Sequence, residues 1–326
     1  MGKKGKIDVS YLILNYNGKD LLKIILRSIK RQAFDGSIEV VVVDNNSSDG
    51  SLDFLKQAHP YVKVVVNKEN LGTSGINSGL EHCMGKYIFY LNNDIELDED
   101  CLKRLYIMLE KDPSIGLAVP KFINFYNRKV RSGGFWLSRS FYGGHYLEEG
   151  QEKGTIEVPY AGVFLFRKEI AKKAGYLFDP DYFIYSEDVD FSLRARLMGY
   201  RIMMDRSALL YHMHAATIGK QKKNKSLYYL ERNLLSTFIK VASVRSVLWL
   251  LPYVLGMRAL AILKDAMTLE WRNAYLRMSA IGWVVLHLPL ILKKRGKVQL
   301  LRKVGDEVLF GLCTENRLLR SRPLPL

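Results

Sequence analysis

Strand and helix patterns alternate along residues 7–118, and this alternation restricts the fold more than any other feature of the sequence. A β-branched and aromatic run extends from Ile7 to Tyr16, and largely apolar runs cover Ile38 to Val43, Val62 to Val66 and Tyr87 to Leu91. Continuous apolar strands are typical of a sheet that is buried on both faces. The order therefore predicts an open, Rossmann-like α/β sheet with ligands at the carboxyl ends of its strands.

The remaining pattern predicts further helices, a mixed region and a helical C-terminal part. Helices are expected at Leu21 to Ile29, Ser51 to Ala58, Leu97 to Glu110 and Val189 to Met198, and residues 70–75 lead into a further helix that extends through Cys83. Residues 119–185 form the mixed region, with strands near Val119 to Phe125 and Val158 to Phe166, and an apolar strand through Tyr211 delivers His212. From Ser226 onward the spacing of apolar residues favours helices.

Charge divides the chain into two parts. From Lys220 onward there are 20 Lys and Arg against 6 Asp and Glu, whereas the first 219 residues hold 29 basic and 27 acidic residues. This asymmetry predicts a catalytic domain over residues 1–219 and a basic helical region over residues 220–326. Nucleic-acid-binding arms seldom carry apolar runs, so the basic part predicts an anionic membrane surface as its partner and no nucleic acid.

Two apolar runs in the basic region are too interrupted or too short to predict a spanning helix. Val247 to Leu263 contains Pro252 and Arg258, and Ile281 to Leu292 has only 12 residues, against about 20 needed to cross a bilayer. Amphipathic helices lying in the headgroup region are expected. A helical subdomain packed on the catalytic part, contacts between copies in a homo-oligomer and a shallow re-entrant hairpin are the alternatives.

The N-terminus and the cysteines indicate a reducing compartment. The polar residues in Ile7-Asp8-Val9-Ser10 interrupt any signal-peptide core. The three scattered cysteines, Cys83, Cys101 and Cys313, form no disulfide framework. The expected location is the cytoplasmic face of the cell membrane, as a peripheral or monotopic protein.

Carboxylates follow two of the predicted strands. Asp44 comes after Ile38 to Val43, where it either forms a turn or accepts a hydrogen bond from a nucleobase. Asp94 closes Asn92-Asn93-Asp94 after the strand that ends at Leu91. It either caps the following helix or holds a divalent cation, because Mg²⁺ accepts one or two protein carboxylates when substrate phosphates complete its shell. His212 becomes a second metal ligand only if the fold brings it beside Asp94.

A second group of acids opens the helix Val189 to Met198. Glu187, Asp188 and Asp190 all fall near its first turn, where acids commonly interact with the helix dipole. Three carboxylates in one turn repel each other, and this should raise at least one pKa. A raised pKa suits a general base that accepts a proton from an attacking hydroxyl. Together the acid sites indicate group transfer from a nucleotide donor.

The full series of motifs resembles family 2 glycosyltransferases of the GT-A type, and most of all rhamnosyltransferase-like members that build bacterial or archaeal surface polysaccharides. The matching segments are Leu14-Asn15-Tyr16-Asn17-Gly18, Asp44 to Ser51, Asn70-Leu71-Gly72-Thr73-Ser74-Gly75-Ile76-Asn77, Leu91 to Asp94, Phe178-Asp179, Glu187 to Asp190, Arg194, Gly199 and Tyr211-His212. The resemblance implies a GT-A mixed sheet with a nucleotide-binding half and an acceptor half.

The resemblance also implies roles for individual residues. Asp44 should contact the nucleobase, Asn92 the ribose, and Asp94 with His212 should hold Mg or Mn on the diphosphate. Asp188 matches the catalytic base, with Glu187 beside it toward the acceptor. The remaining expected donor-binding residues are Asn15, Asn17, Asn70, Gly72, Gly75, Asn77 and Asn93. The two glycines are expected to let the loop backbone approach the donor closely.

These residues imply an inverting transfer from a nucleotide-diphosphate sugar to a saccharide or lipid-linked saccharide. The metal motif reads Asn-Asn-Asp instead of Asp-x-Asp, which leaves one acid, and His214 is an alternative to His212 as the second ligand. Acceptor contacts are expected within residues 131–165. The candidates there are Trp136, Tyr142, His145, Tyr160 and Gly162.

Three other functions fit the residues less well. A sugar nucleotidyltransferase needs a basic, glycine-rich phosphate loop, and Leu14 to Gly18 contains no basic residue. A dehydrogenase needs Gly-x-Gly-x-x-Gly after the first strand, which is missing. A non-catalytic membrane-associated scaffold would have no need for the acids and the histidine that the chain carries at the motif positions.

Overall fold

A ten-stranded mixed sheet organises the computed structural model, which describes residues 6–146, 153–213 and 225–313. The strands are β1 (Val9–Asn15), β2 (Ile38–Asp44), β3 (Lys63–Val66), β4 (Tyr87–Asn92), β5 (Ile95–Leu97), β6 (Ile115–Asn124), β7 (Val130–Ser132), β8 (Gly134–Leu137), β9 (Gly143–Tyr146), β10 (Thr155–Glu157), β11 (Phe164–Arg167) and β12 (Arg201–His212). The main sheet runs β10-β12-β6-β11-β4-β1-β2-β3, with β5 on β12 and β7 on β6, while β8 and β9 form a separate hairpin.

Helices pack on the sheet and also make up the C-terminal part of the described chain. They are α1 (Lys19–Lys30), α2 (Ser51–Ala58), a 3₁₀ helix (Gly72–His82), α3 (Cys101–Lys111), α4 (Lys168–Ala174), α5 (Glu187–Leu197), α6 (Ser226–Val241), α7 (Val244–Met267), α8 (Trp271–Leu286), α9 (Leu288–Gln299) and α10 (Asp306–Leu309).

The half of the fold that is predicted to bind the nucleotide is the parallel part of the sheet. Strand β1 pairs in parallel with β2 and β4, and β2 pairs in parallel with β3. Beyond β4, the antiparallel strand β11 joins this half to β6 and β12. The central residues of β1, Tyr11 to Ile13, are fully buried, as expected for a strand covered by helices on both faces. The predicted open mixed sheet is confirmed.

Two predicted elements differ from the structure, and in each case pairing with a distant segment is the reason. Leu97 belongs to β5, where it pairs with Leu210, so the helix expected from Leu97 begins only at Cys101. Of the strand expected from Val158 to Phe166, only Phe164 to Phe166 lie in a strand, β11, because β10 ends before it at Glu157. Between them, the backbone N–H of Ala161 donates to the Ser192 hydroxyl at 3.1 Å, which turns the chain toward α5.

The C-terminal helices begin with α6, which packs against α5 and contributes buried residues such as Leu234 and Phe238 to the same hydrophobic core as the sheet. The division at residue 219 stays a prediction. Helix α7 continues through Pro252 and Arg258, which interrupt the apolar run of the sequence but not the helix. Proline removes one backbone hydrogen bond without ending a helix that tertiary contacts support, and Arg258 is fully buried against the protein.

Helix α7 has 24 residues and a length of about 36 Å. By length and composition it could cross a membrane, and α8 with α9 passes the same criterion as a pair bent by 69°. Only 11% of the apolar window of α7 is buried inside the protein, so this helix is not an ordinary core helix. Its exposed residues include Leu248, Trp249 and Leu260.

Candidate functional site

Three polar residues lie side by side where the parallel strands end. In the sheet register, Asn15 at the end of β1 is opposite Asp44 at the end of β2, and Leu14 is opposite Asn92 at the end of β4. Parallel strands direct their carboxyl ends to one edge, and ligands of open α/β sheets bind at that edge. The predicted nucleotide-binding residues from three separate segments therefore meet in one place.

Asp44 is fully buried, and its carboxylate accepts three hydrogen bonds from within the protein. The donors are the Asn15 side-chain amide at 2.8 Å, the Ser47 backbone N–H at 2.7 Å and the Ser47 hydroxyl at 2.7 Å. Asp44 therefore stabilises the turn that follows β2, as the alternative interpretation of this residue expects. A contact with the nucleobase would use the remaining acceptor capacity of the carboxylate, and that role stays a prediction.

The loop after β1 packs tightly onto the same polar cluster. Asn93 donates to the Asn15 side-chain oxygen at 2.7 Å. A Cβ atom on Gly18 would lie only 2.1 Å from the Asn93 amide nitrogen, so only glycine fits there. Asn17 is exposed and has a positive φ of 48°, and its side-chain oxygen accepts from the Ser48 N–H at 2.8 Å. Of these three asparagines, Asn17 is the one most open to a ligand.

Both glycines of the loop 70–77 are explained by packing within the protein. A Cβ atom on Gly72, whose φ is +63°, would lie 1.9 Å from the Phe183 carbonyl oxygen, and one on Gly75 would lie 2.2 Å from the Asn45 side-chain oxygen. Asn70 accepts from the Gly72 N–H at 3.0 Å. The close approach that these glycines permit is therefore to Phe183 and Asn45, whereas an approach to the donor stays a prediction.

Asn77 uses its amide to hold a distant segment. Its nitrogen donates to the Phe178 carbonyl at 2.7 Å, and its oxygen accepts from the Leu177 and Phe178 N–H groups at 2.9 and 3.1 Å. These contacts attach the loop 70–77 to the residues that lead into α5. Asn77 therefore stabilises the packing of these two segments, and its contact with a donor stays a prediction.

Asp94 and His212 lie in contact, although 118 residues separate them in the chain. Asp94 sits in the tight turn between β4 and β5, and His212 is the last residue of β12, whose register pairs it with Ile95. The His212 Nε2 atom lies 3.2 Å from the Asp94 Oδ1 atom. His214 lies outside the described residues, so the choice between the two histidines rests on the contact that His212 makes.

This pair of side chains fits a divalent cation. Two ligand atoms at about 2.1 Å from one Mg²⁺ in octahedral geometry lie about 3.0 Å apart, close to the distance between the Asp94 and His212 atoms. Within residues 6–146, 153–213 and 225–313 no group of three acidic, histidine or cysteine side chains could hold a metal. A cation here would therefore need ligands from a substrate and from water, as Mg²⁺ commonly has. The metal-binding roles of both residues stay predictions.

Glu187 and Asp188 begin α5 as expected. Burial, followed by the charge of Asp188, raises the pKa of the Glu187 carboxyl, and burial raises the pKa of Asp188. The Val189 N–H donates to one Asp188 oxygen at 2.8 Å. The other oxygen points toward Gly162, with 3.5 Å to the position where a Cβ atom on that glycine would lie. A carboxylate with a raised pKa and an open approach over a glycine can accept a proton from a hydroxyl.

Asp190 does not contribute to this pair. Its carboxylate lies 2.8 Å from the Arg194 Nε atom and 2.5 Å from the Lys240 Nζ atom, and all three side chains are fully buried. All three acids lie in the first turn of α5 as expected, but the charge of Asp190 is compensated inside the core. The repulsion acts between Glu187 and Asp188 alone.

The two acid sites lie close to one buried tyrosine. Burial raises the pKa of the Tyr90 phenol well above its usual range, and the negative charges of Glu187, Asp188 and Asp94 raise it further. The Tyr90 hydroxyl donates to the Asn92 side-chain oxygen at 2.7 Å. Carboxylates that act on one phenol must lie in the same region of the protein.

The predicted acceptor residues fall into two groups. His145 and Tyr160 pack against Phe135, with ring centroids 4.9 and 5.0 Å apart, and Gly162 faces Phe135 as well as Asp188. Tyr142 lies elsewhere, because its hydroxyl donates to Glu231 of α6 at 2.9 Å.

Trp136 follows Phe135 in β8, and successive side chains of a strand point to opposite faces. Its ring lies beside Gly144, with 3.0 Å to the position of a Cβ atom there. Only His145, Tyr160 and Gly162 are therefore gathered near the acid pair, and their contact with an acceptor stays a prediction.

Two residues behind the acid pair, Asn233 and Lys240 of α6, were not predicted from the sequence. Both are buried and bind the segment that leads into α5: Asn233 donates to the Tyr185 carbonyl, and Lys240 lies 2.6 Å from Asp179 of the motif Phe178-Asp179. Buried polar residues must find partners, so the polar Glu231-Arg232-Asn233 within the apolar pattern of α6 was the available signal.

Comparison with known proteins gives the fold and the family. Among solved structures, Staphylococcus aureus TarS 1–349 in complex with UDP matches with a TM-score of 0.55 and 18% identity, covering 94% of this chain and 92% of that one. The structure of GalNAc-T7 with UDP, GalNAc and Mn²⁺ matches with a TM-score of 0.60 and 17% identity, covering 73% and 48%. At these identities the likeness concerns the fold, and the predicted GT-A-type architecture is confirmed.

Two curated relatives match part of the chain. Poly-beta-1,6-N-acetyl-D-glucosamine synthase from Staphylococcus aureus (strain MSSA476) is 22% identical over 222 residues, or 65% of this chain and 51% of that protein. The putative teichuronic acid biosynthesis glycosyltransferase TuaG of Bacillus subtilis (strain 168) is 32% identical over 108 residues, or 32% and 42%. The chain thus spans about half the length of the curated relatives it matches, and the expected rhamnosyltransferase-like subgroup stays a prediction.

The family model named glycosyl transferase family 2 matches residues 10–175. These residues include β1 to β11, the polar cluster at the strand ends and Asp94. The match covers half of the chain and agrees with the resemblance seen in the motifs. The chain belongs to glycosyl transferase family 2.

Proposed function

We propose that the protein transfers a sugar, with inversion and in the presence of a divalent cation, from a nucleotide-diphosphate sugar to a saccharide or lipid-linked saccharide acceptor. The contact between Asp94 and His212 carries this proposal. It unites two segments 118 residues apart at the edge where the nucleotide-binding strands end, close to an acid pair with raised pKa values. The proposed context is the synthesis of a cell-surface polysaccharide, as the names of the relatives suggest.

Each group of side chains has a task in this reaction. The cluster of Asn15, Asp44 and Asn92 would bind the nucleoside, and Asp94 with His212 would hold Mg²⁺ or Mn²⁺ on the diphosphate. A bound cation of this kind neutralises the negative charge that develops on the leaving diphosphate. Asp188 accepts the proton of the attacking hydroxyl, because its carboxylate is ionised more readily than that of the neighbouring Glu187. A single base on one side of the sugar supports in-line attack and therefore inversion.

Glu187 has a different task from Asp188. Its raised pKa favours a protonated carboxyl near neutral pH, so this side chain can donate a hydrogen bond to an acceptor oxygen. The family resemblance implies that Glu187 lies toward the acceptor, beside Asp188. The neutral form also avoids a second negative charge beside the base.

The C-terminal helices support a location on the membrane surface. One face of α7 is attached to the protein, since Arg258 lies 3.1 Å from Glu231 and donates to the Ser140 carbonyl at 2.9 Å. The opposite face exposes apolar side chains such as Trp249, of which 78% is accessible. A helix that crossed the bilayer would lose the Arg258 contacts. We therefore favour a monotopic arrangement at the cytoplasmic face, with basic residues such as Lys293 near the lipid headgroups.

The test of the activity is metal-dependent release of nucleoside diphosphate. The full chain in detergent is incubated with a panel of nucleotide sugars and a saccharide acceptor, in Mg²⁺, in Mn²⁺ and in chelator. One donor should turn over only when metal is present, and Asp94→Ala should reduce this turnover about 100-fold or more. Turnover that persists in chelator argues against the metal site, and absence of turnover with every donor favours the non-catalytic scaffold.

The membrane location has its own test. The protein should float with vesicles that contain anionic lipid, and Trp249→Ser with Leu248→Ser should reduce flotation. Release by high salt alone would assign binding to charge, whereas release only by detergent would assign it to the apolar face. A protein that stays in solution with every vesicle composition would contradict the proposal.

A further inference from the structure

The two residues before the acid pair have an unusual backbone conformation. Tyr185 has a φ of 68° and Ser186 a φ of 62°, and neither is glycine. Left-handed conformations are unfavourable for residues with a Cβ atom and persist only where the surroundings hold them. Because α5 begins at Glu187, this turn sets the direction in which Glu187 and Asp188 leave the backbone. Whatever holds the turn therefore also aims the acid pair.

Asn233 of α6 holds this turn from behind. Its side chain is fully buried, and its amide nitrogen donates to the Tyr185 carbonyl at 2.6 Å and to the Ile184 carbonyl at 3.1 Å. Its amide oxygen accepts from the Arg232 Nε atom at 2.8 Å. Since an arginine can only donate, this contact fixes the orientation of the amide, with the nitrogen toward the turn.

Residues 179–186, which include this turn, also contact the loop 70–77 and the C-terminal helices. The Phe183 carbonyl accepts from the Thr73 N–H at 2.7 Å, in the loop that contains Gly72. Lys240 of α6 lies 2.6 Å from Asp179, and Lys294 of α9 lies 2.5 Å from Asp181. Residues 179–186 thus connect the loop 70–77, the predicted donor loop, with the acid pair, while α6 and α9 support them.

We propose that Asn233 is a positioning residue for the transfer reaction, holding the left-handed turn at Tyr185 and Ser186 so that Asp188 faces the acceptor hydroxyl. This inference rests on the proposed function. It assigns to the basic C-terminal region a part in the reaction, because α6 lies within that region. Asn233 touches neither the polar cluster at the strand ends nor Asp94, so its loss should affect the chemical step and not donor binding.

The central variant is Asn233→Ala, which removes both hydrogen bonds to the turn. Its matched control is Ser236→Ala, because Ser236 is also buried on α6 and its hydroxyl donates only to the Arg232 carbonyl of the same helix. For each protein, kcat, the donor dissociation constant and the melting temperature are measured. Asn233→Ala should lower kcat about 100-fold, as expected for a misplaced catalytic group, with donor binding within threefold of the wild type. The control should keep its kcat.

A second variant separates positioning from simple stability. Glycine adopts positive φ readily, and the Ser186 hydroxyl has no hydrogen-bond partner among the described residues, so Ser186→Gly relieves the turn without removing a contact. In the Asn233→Ala background, Ser186→Gly should recover at least about tenfold in kcat. A residue that merely stabilised the core would show no such recovery of kcat.

The outcomes are distinct. A kcat of Asn233→Ala within threefold of the wild type overturns the positioning role, and so does a loss of kcat that Ser186→Gly does not restore. If Asn233→Ala does not fold, Asn233→Ser, which keeps one donor, is judged by the same criteria. Failure of both to fold assigns Asn233 to core stability and also overturns the role. A wild-type chain without turnover on any donor would instead contradict the proposed function.

Discussion

The polar cluster at the strand ends and the acid pair at the start of α5 differ in how fully the protein satisfies their hydrogen-bonding groups. At the strand ends, Asp44 accepts from Asn15 and from Ser47, and Asn15 accepts from Asn93. In the acid pair, one Glu187 oxygen has no hydrogen-bond partner among the described residues, and burial raises both pKa values.

This difference suggests that the polar cluster at the strand ends is built for binding and the acid pair for proton transfer. A cluster whose members satisfy each other is rigid before any ligand arrives, which suits binding. A buried acid pair with few partners is unfavourable for stability but suits proton transfer. Substitutions in the acid pair should therefore act mainly on kcat, and those at the strand ends mainly on stability and donor binding.

The largest effect is expected for Asp188→Asn. An amide cannot accept the proton of the attacking hydroxyl, and loss of a general base lowers rates about 10²- to 10⁴-fold. Donor binding should change little, because Asp188 does not contact the cluster at the strand ends. The measurements are kcat and the donor dissociation constant.

The matched control for Asp188→Asn is Asp53→Asn, which changes an exposed acid in the first turn of α2. It removes the same charge from an equivalent helix position and should leave kcat unchanged. Full activity of Asp188→Asn would exclude this residue as the base. An equal loss of kcat in both variants would show that helix-end charge, and not proton transfer, is responsible.

The next largest effect is expected for Gly72→Ala. The substitution places a Cβ atom 1.9 Å from the Phe183 carbonyl and forces alanine to a φ of +63°, so a destabilisation of at least about 3 kcal/mol is expected from the left-handed conformation together with the clash. Gly175→Ala is the control, because Gly175 has a φ of +81° but no atom within 4 Å of its Cβ position.

The control isolates the backbone contribution, about 1–2 kcal/mol, and thermal or denaturant unfolding measures both variants. A larger effect in Gly72→Ala shows that the donor loop depends on close contact with Phe183. Equal destabilisation would mean that the loop moves away from Phe183 easily, and the rigid description of the donor side would then be wrong.

Glu187→Gln tests the acid pair through stability. A carboxyl whose pKa is raised on folding binds more protons in the folded state than in the unfolded state. Its contribution to stability is therefore present below its unfolded pKa of roughly 4.3 and is lost as pH rises toward the raised folded value. Glutamine does not titrate, so the difference in stability between the variant and the wild type should grow in favour of the variant as pH increases.

Unfolding free energies measured from pH 4.5 to pH 8.5 check this prediction. A tenfold difference in proton affinity between the folded and unfolded states corresponds to about 1.4 kcal/mol of stability. Glu169→Gln, at an exposed acid whose pKa is lowered by the hydroxyl of Tyr200, should show almost no dependence on pH in this range, because a lowered pKa changes stability only near and below the unfolded value of roughly 4.3. A difference independent of pH would indicate that Glu187 is ionised without penalty in the folded protein.

The half of the fold with alternating strands and helices could be predicted because the apolar run of each strand indicates that the strand is buried. The apolar runs of β1, β2 and β4 and the polar residues that end them are local features, and parallel pairing then brings Asn15, Asp44 and Asn92 together. The approach of His212 to Asp94 was predicted from the family resemblance, and no local feature indicates it. It depends on the pairing of β12 with β5, a contact between segments more than 100 residues apart.

The C-terminal half could not be predicted in the same way. Pro252 and Arg258 interrupt the apolar run, so a single helix long and apolar enough to cross a membrane was not expected there. The structure instead buries Arg258 against Glu231 and the Ser140 carbonyl. The partner of a buried charge is a tertiary property, and no pattern in the sequence around Arg258 identifies it. For the same reason, Asn233 could be noticed as a polar residue on an apolar helix but not assigned to the turn before Glu187.

The smallest effect is expected for Ser47→Ala, and it tests what the polar cluster is for. The Ser47 hydroxyl donates to Asp44 at 2.7 Å and accepts from the Asn17 N–H at 2.8 Å. One hydrogen bond contributes about 1 kcal/mol, and Asp44 keeps its bonds to Asn15 and to the Ser47 N–H. If Asp44 binds the nucleobase, a less ordered carboxylate should raise the donor KM about fivefold and leave kcat unchanged.

The control for this prediction is Ser28→Ala. It removes a buried hydroxyl of α1 that donates to the Ile25 carbonyl at 2.8 Å, and it should affect unfolding only. A donor KM that responds equally little in both variants would make Asp44 a turn-forming residue, and binding of the nucleobase would then depend on other residues of the cluster.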